Sequence, residues 1–342
     1  MTSDREGTLL HVTNGGVAAE LIRASGLGGD VLPWNDVLHD GPVPGGLPLE
    51  DLSAVRAGFI SGRGWGAYDE VRAELAARDR ALVRSAERAE TVLWFEHDLY
   101  DQLQILQVLD ALAERGGAER ASLVCIGAFP GVEPFHGLGQ LTPEQIASLF
   151  PGRVPVARAQ LDLAQAAWAA FRSPDPTRIE DVLDGDTSAL PFLRAALLRH
   201  LEQLPAVGDG LSRTERQLLE AVADGARGPR EVFLADQARE EAVFMGDASL
   251  WEHVRELADG PEPLLRVEGG GDFRLPRRGA YADWFWEQRL ELTGAGRAVL
   301  RGEADRLAAG GVDRWLGGVH LRGRDLPWRW DRAARRLSRA GG

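Results

Sequence analysis

Lysine is absent from the chain; all 39 basic residues are arginine. That excludes a Walker-type lysine gripping a phosphate and any Schiff-base lysine. Cysteine is nearly absent. The single Cys125 can neither close an internal disulfide nor complete a multi-cysteine zinc site. It sits in the apolar run Ser122 to Gly127, a setting for a buried structural thiol rather than a nucleophile. No apolar stretch reaches the roughly 18 residues of a membrane span. The opening, Met1 to Gly7, is charged and polar rather than signal-like. A cytoplasmic protein with no membrane partner is the expectation.

Clustered cations are missing as well. Net charge is −13, and it is uneven. Residues 1–210 carry 17 Arg against 30 Asp and Glu, whereas residues 211–342 carry 22 against 22. Tight non-specific binding to nucleic acid needs clustered cations to neutralise phosphates, so this acidic chain is a poor candidate for it.

What remains is a globular composition, 44% hydrophobic and 27% charged, with a length that suggests two or three domains. Apolar runs alternate with helical patterns through the first 150 residues. Thr8 to Val12 is followed by a Gly15-Gly16 turn and a helix from Val17 to Ala24. Asp30 to Trp34 is the second strand. Two charged helices, Leu49 to Ser61 and Ala67 to Arg88, cross over to a third strand, Thr91 to Phe95. Its helix follows from Gln102 to Ala113, then a fourth strand from Ser122 to Gly127. Thr142, Pro143 and Gln145 form a capping box for a short helix to Phe150. The alternation predicts an α/β fold with a Rossmann-like parallel sheet over residues 1–155.

Residues 156–208 read as a helical linker, with helices from Arg158 to Phe171 and Ile179 to Leu204 split by Ser173-Pro174-Asp175-Pro176. From 209 to 342 three helices (to Ala223, Pro229 to Gln237, Ala248 to Ala258) precede a hairpin expected between Leu264–Val267 and Phe273–Leu275. That order is winged-helix-like, and it runs into a Trp- and Arg-rich tail. The third helix carries Glu252, Glu256 and Asp259 against Arg255 alone. A DNA reader would place that helix in the major groove, where it would repel phosphate. Arg266, Arg274, Arg277 and Arg278 give the wing a modest basic patch. A protein-contact role, a homodimer included, is favoured over DNA.

Three polar clusters end the first three strands. They are Asn14-Gly15-Gly16, Asp36 with His39 and Asp40, and Glu96-His97-Asp98 with Asp101. In an open parallel sheet with the first strand central, these ends converge on one crevice. A Gly-Gly turn before a helix can point backbone N–H groups at an anion. Carboxylates and imidazoles converging this way suit a divalent metal or acid–base chemistry. His39, His97, Glu96 and Asp98 are the candidate catalytic groups. Asn14, Gly15, Gly16, Asp36, Asp40 and Asp101 are the candidate ligand-binding groups. Asp36, Asp40, Glu96 and Asp98 are the residues that would hold Mg²⁺. The blander alternatives are capped turns: Asp36 or Asp40 bonding its own backbone, and Asp98 or Asp101 capping the next helix.

Four segments, His11-Val12-Thr13-Asn14-Gly15, Gly29 to Trp34, Asp36 to Pro44 and Trp94 to Gln102, occur in this order. Together they resemble the bacterial domain-of-unknown-function 1835 family over roughly residues 8–135. Met245-Gly246-Asp247, Leu292 to Gly296 and Asp313 to Gly318 resemble the region that often follows that domain. The family opening usually continues Asp-Ser where Gly16 and Val17 stand here, which removes a carboxylate and a hydroxyl from that loop. The resemblance implies a site map and no established activity. The expected function is an enzyme, a hydrolase or transferase, acting on a small phosphorylated or nucleotide-like ligand. The alternatives are a ligand-sensing regulator that binds DNA through the winged-helix region, and a non-catalytic interaction protein using Trp315, Trp328 and Trp330.

Overall fold

The structure, a computed structural model, describes residues 8–276 and 281–339. In chain order the first elements are β1 (Leu9–Asn14), α1 (Gly16–Ala24), β2 (Asp30–Trp34), β3 (Gly41–Pro42), α2 (Leu49–Gly62), α3 (Tyr68–Val83) and β4 (Glu90–Glu96). Next come α4 (Leu99–Arg115), β5 (Ala121–Ile126), α5 (Pro143–Leu149), β6 (Val154–Pro155), α6 (Arg158–Phe171), α7 (Thr177–Asp184) and α8 (Leu193–Leu201). The remainder holds α9 (Arg213–Ala223), α10 (Pro229–Gln237), α11 (Asp247–Ala258), β7 (Leu265–Val267), α12 (Asp283–Trp286), β8 (Leu290–Leu292), α13 (Gly294–Leu300), α14 (Arg306–Gly310) and four strands. Those strands are β9 (Val312–Gly317), β10 (Val319–Gly323), β11 (Trp328–Asp331) and β12 (Arg336–Arg339).

The main sheet has the order β2-β1-β4-β5-β6, parallel except for the short antiparallel edge β6. Both faces are covered, which is why β4 reads as one apolar run. Its side chains alternate with a period of two. Val92 and Trp94 pack with Ala18 and Ile22 of α1 and Ile146 of α5. Leu93 and Phe95 pack on the other face with Leu103 and Leu106 of α4. His11 is spent on structure: Trp94 Nε1 donates to its Nδ1 at 3.0 Å, and its Nε2 reaches the Gly28 carbonyl at 2.9 Å.

From β1 the chain first steps to β2, then returns to the other side of β1 to lay down β4 and β5. The direction of winding reverses between β1 and β4. In open α/β sheets a crevice opens outside the strand ends at that point. The Asn14 and Glu96 ends of these two strands flank it.

The predicted long helix from Ile179 to Leu204 is two helices, α7 and α8, broken around Gly185 and Pro191. The predicted hairpin also differs. β7 pairs antiparallel with β8, Leu265 opposite Leu292, and Phe273 to Leu275 form no strand. Arg277 and Arg278 of the expected basic wing lie outside the described residues.

β3 belongs to a second sheet, of order β10-β9-β3. Gly41 and Pro42 pair in parallel with Leu316 and Gly317, and Val43 N donates to the Gly317 carbonyl at 2.7 Å. The segment Asp36 to Pro44 is thus the socket for a strand from the far end of the chain. Close approach explains its glycines. At Gly41 (φ 79°) a Cβ would stand 2.6 Å from the Phe59 ring; at Gly318 it would stand 2.0 Å from the Arg172 carbonyl oxygen. One apolar core runs from Leu10 and Phe95 through Trp168 and Leu197 to Trp251, Leu316 and Trp330, so the three expected regions share an interior. Among the described residues no helix is long and apolar enough to cross a membrane.

Candidate functional site

At the β1/β4 crevice the acidic residues form one buried knot. Asp98 is the N-cap of α4, its Oδ1 accepting from the Asp101 amide at 3.1 Å. Asp101 has no exposed surface; its Oδ1 accepts from the Glu96 amide at 2.8 Å and its Oδ2 from Asn14 Nδ2 at 2.5 Å. Asp101 therefore ties the end of β1 to the end of β4. Gln102 adds a 2.7 Å bond to the Glu96 carbonyl. Oxygens of Glu96, Asp98 and Asp101 lie within 4.8 Å of one another.

Three carboxyls this close in a dry setting cannot all be ionised. Burial raises Glu96 to about 7, against the pull of the Leu138 amide and Asn14. Burial, then repulsion from Glu96, raises Asp98 to about 8. Asp101 is raised well above its ordinary value by burial and by both neighbours.

Glu96 is the member that faces open space. Its Oε1 accepts from the Leu138 amide at 2.6 Å. Glu96 lines a cavity of about 250 Å³ with Asn14, Gly15, Gly16, Tyr100 and His136. Gly137 makes this possible: with φ 144° it lies so close that a Cβ there would sit 2.1 Å from Glu96 Oε2. The opposite wall is the start of α1. Gly15 is the N-cap with φ 59°, no side chain caps the helix, and Gly16 is exposed. The first amides of α1 are thus free of side-chain acceptors and face the cavity that Glu96 faces.

The second polar cluster does not join this knot. The Asp36 carboxylate is buried against Arg56, with Nε and Nη2 at 2.9 and 2.8 Å from Oδ1. Arg56, itself fully buried, also donates to the carbonyls of Val37, Asp40 and Pro42 at 2.9, 2.8 and 3.2 Å. One guanidinium staples the whole loop, and Asp36 is its counterion. Asp40 turns toward the C-terminal part; burial raises its carboxyl, with Arg63 the first of its opposing charges. Nearby, Arg314 bridges Glu215 at 2.6 Å and Glu256 at 3.2 Å, and Arg63 holds Glu252 at 2.9 Å. These pairs bind α9, α11 and β9 to the end of α2.

His39 goes a third way. It is 3% exposed, and neither ring nitrogen has a hydrogen-bond partner. Burial, followed by the field of Arg56, pushes it down to about 3, so the ring is neutral. It meets Phe244 and Tyr100 edge to face, with centroids 5.2 and 5.8 Å away, and lines a cavity of about 700 Å³. His97 is half-buried between Phe135 and Phe192, and burial lowers its pKa. It borders neither cavity. Cys125 is partly buried and raised to about 12 by burial, hence a neutral thiol.

The predicted residues are thereby sorted. Asn14, Gly15, Gly16, Glu96, Asp98 and Asp101 come together at one crevice. His39 stands at an adjoining one, and Asp36, Asp40 and His97 serve other contacts. Tyr100, Gly137, Leu138 and Arg56 were not singled out from the sequence. The Gly137-Leu138-Gly139 run offered a signal for the loop, since paired glycines mark close backbone approach. Arg56 offered none. A scan against protein-family models finds no family that matches the chain, and a search of curated proteins finds no match.

The knot has a pH signature. Each raised carboxyl keeps a proton in the folded chain that the unfolded chain has already lost. Its stabilisation is complete below the unfolded pKa near 4 and disappears as pH rises through about 7 to 8. His11, His39, His97, His200 and His253 are all held below the ordinary histidine value, so they add stability as pH rises through about 6.5 and oppose the carboxyls there; the carboxyl effect is read above about pH 7.5. Stability to urea is expected to fall by roughly 1–3 kcal/mol between about pH 7.5 and 9. Asp98→Asn should flatten that decline; an equally steep decline in the variant would place its origin elsewhere.

Proposed function

We infer that the chain is an enzyme, a hydrolase or transferase, whose small phosphorylated ligand sits at the β1/β4 crevice. One observation carries this reading: Glu96, a carboxyl that burial raises to about 7, lines the same 250 Å³ cavity as the uncapped start of α1. A phosphate at the α1 amides would gain from their free donors and from the helix dipole. Glu96 would then donate a proton to the leaving-group oxygen near neutral pH. The strand order and its switch point support a Rossmann-like reading of the sheet. The four motifs that resemble the 1835 family fall on β1, on β2, on the loop after it, and on the β4–α4 turn, the same sheet edge.

Mg²⁺ is the cofactor this site would take, held by Glu96 and Asp98 with Asp101 behind them. The donor set is all carboxylate oxygen, as a hard divalent cation prefers. Bound there, it would replace the shared protons, that of Glu96 among them, so a loaded site would offset the charge of the phosphate with the cation, and only the metal-free site would use Glu96 as the acid.

The sequence α9–α10–α11, then the paired β7 and β8, supports a winged-helix-like module. Its third helix is turned inward: no residue from Ser249 to Ala258 is exposed. We read that module as a wall docked on the α/β part rather than as a DNA reader.

The test is calorimetric titration with ribose 5-phosphate and with inorganic phosphate. Gly16→Pro removes one donor amide at a position where helices accept proline. It is expected to weaken binding at least tenfold, and Glu96→Gln to abolish turnover while retaining binding. Unchanged affinity in Gly16→Pro would remove the α1 terminus from the site.

A further inference from the structure

The larger cavity belongs to neither half of the chain alone. Asp36, His39, Ile60 and Val71 come from the α/β part, and Phe244, Ala248 and Trp251 from the C-terminal part. At about 700 Å³ it lies within the range of small-molecule pockets. Trp65, Tyr100, Phe244 and Trp251 are among the residues that line it. It shares Gly16 and Tyr100 with the smaller cavity, so the two spaces adjoin at the start of α1.

Among the described residues, two groups on the wall of this cavity are buried without a hydrogen-bond partner, the indole N–H of Trp251 and both ring nitrogens of His39. Burying a polar ring with no partner is costly, and native interiors rarely leave one so. The neutral imidazole has one donor and one acceptor, and both are unused. Neighbouring rings give it edge-to-face contacts and no oxygen or nitrogen to bond. A planar heterocycle with a donor or an acceptor on its edge would pair with one of the two imidazole nitrogens, which point too far apart for one edge to meet both. The aromatic walls would stack on the faces of such a ring, as bases stack on aromatic side chains elsewhere.

We propose that the cleft between the α/β part and the C-terminal part receives the base of a nucleoside phosphate, with His39 hydrogen-bonded to the base edge. The proposal rests on the reading that the α1 terminus takes the phosphate; the shared boundary at Gly16 and Tyr100 is where the sugar would pass. It narrows the ligand from any small phosphorylated compound to a nucleotide. It also gives the C-terminal part a role in recognition: its Phe244, Ala248 and Trp251 complete the pocket.

The experiment titrates the full chain with adenosine, guanosine, cytidine, uridine, AMP and ribose 5-phosphate. Heat and quenching of tryptophan fluorescence are read together, since Trp65 and Trp251 line the cleft. At least one nucleoside is expected to bind, and its monophosphate to bind at least tenfold more tightly than ribose 5-phosphate. His39→Leu is expected to weaken nucleoside binding at least tenfold while leaving ribose 5-phosphate untouched and the melting temperature unchanged or higher. A ring that served only the fold would instead lower the melting temperature. Ala248→Trp, which adds bulk on the wall that the C-terminal part gives the cleft, is expected to lose the nucleoside and keep ribose 5-phosphate. No nucleoside binding, or binding indifferent to both substitutions, overturns the proposal. Ribose 5-phosphate binding that ignores Gly16→Pro would overturn the phosphate reading instead, so the two failures are separable.

Discussion

Arg56→Ala is expected to cost about 3–5 kcal/mol of folding stability, the scale for removing one partner of a buried ion pair. The side chain has no exposed surface, and neither does that of Asp36, which would keep a buried charge without its counterion. The carbonyls of Val37, Asp40 and Pro42 would lose their donor in the same step. The effect spreads because this loop is the socket for β9, so the C-terminal part loses its anchor on the sheet. Arg56→Lys is not expected to rescue: a single ammonium cannot span a carboxylate and three carbonyls as the planar guanidinium does. The matched control is Arg158→Ala, whose pair with Asp162 is exposed on both sides; it should leave the urea midpoint close to that of the unmodified chain. Urea denaturation of the three variants checks this, and equal midpoints for Arg56→Ala and the control would refute the staple.

Gly137→Ala is expected to have the largest effect on ligand binding. Its new Cβ would lie 2.1 Å from Glu96 Oε2 in a backbone conformation that disfavours any side chain. Either the 136–140 loop moves or the carboxyl swings out of its pocket. In both cases Glu96 loses the Leu138 amide and its burial, and its pKa falls back from about 7 toward that of an exposed glutamate. Loss of ribose 5-phosphate binding by at least tenfold and loss of turnover at neutral pH are the expected results. Gly139→Ala is the control, because its Cβ would meet only Val17, at 3.4 Å. Wild-type affinity in Gly137→Ala would show that the position of Glu96 does not matter to the ligand.

The sheet and the crevice were legible because their signals are local. Apolar runs ending in Asn14-Gly15-Gly16 and in Glu96-His97-Asp98 mark strand ends; the central place of β1 was a condition of the reading, because the long crossover from β2 to β4 through α2 and α3 does not by itself say on which side of β1 the chain returns. The cap at Thr142 was equally local, and it closes a capping box with Gln145. The segment Asp36 to Asp40 shows where this fails. Three ionisable residues in five positions read as one cluster, yet each side chain leaves in its own direction. Their partners Arg56, Phe244 and Arg63 are 20 or more positions away, and nothing near Asp36 names them. The pairing of β3 with β9 is likewise non-local, joining Gly41 to Leu316. The wing was misassigned for a related reason. The Gly269-Gly270-Gly271 turn invited Phe273 to Leu275 to pair back, but Leu290–Leu292 takes that edge, and no local rule ranks the two.

The most direct measurement is a crystal soaked in AMP, with ribose 5-phosphate in parallel. Difference density is expected to place the phosphate at the amides of Gly16 and Val17, facing Glu96. The adenine is expected beside His39. A phosphate held instead by arginines of the C-terminal part, with nothing beside Glu96, would contradict the assignment of the β1/β4 crevice as the site.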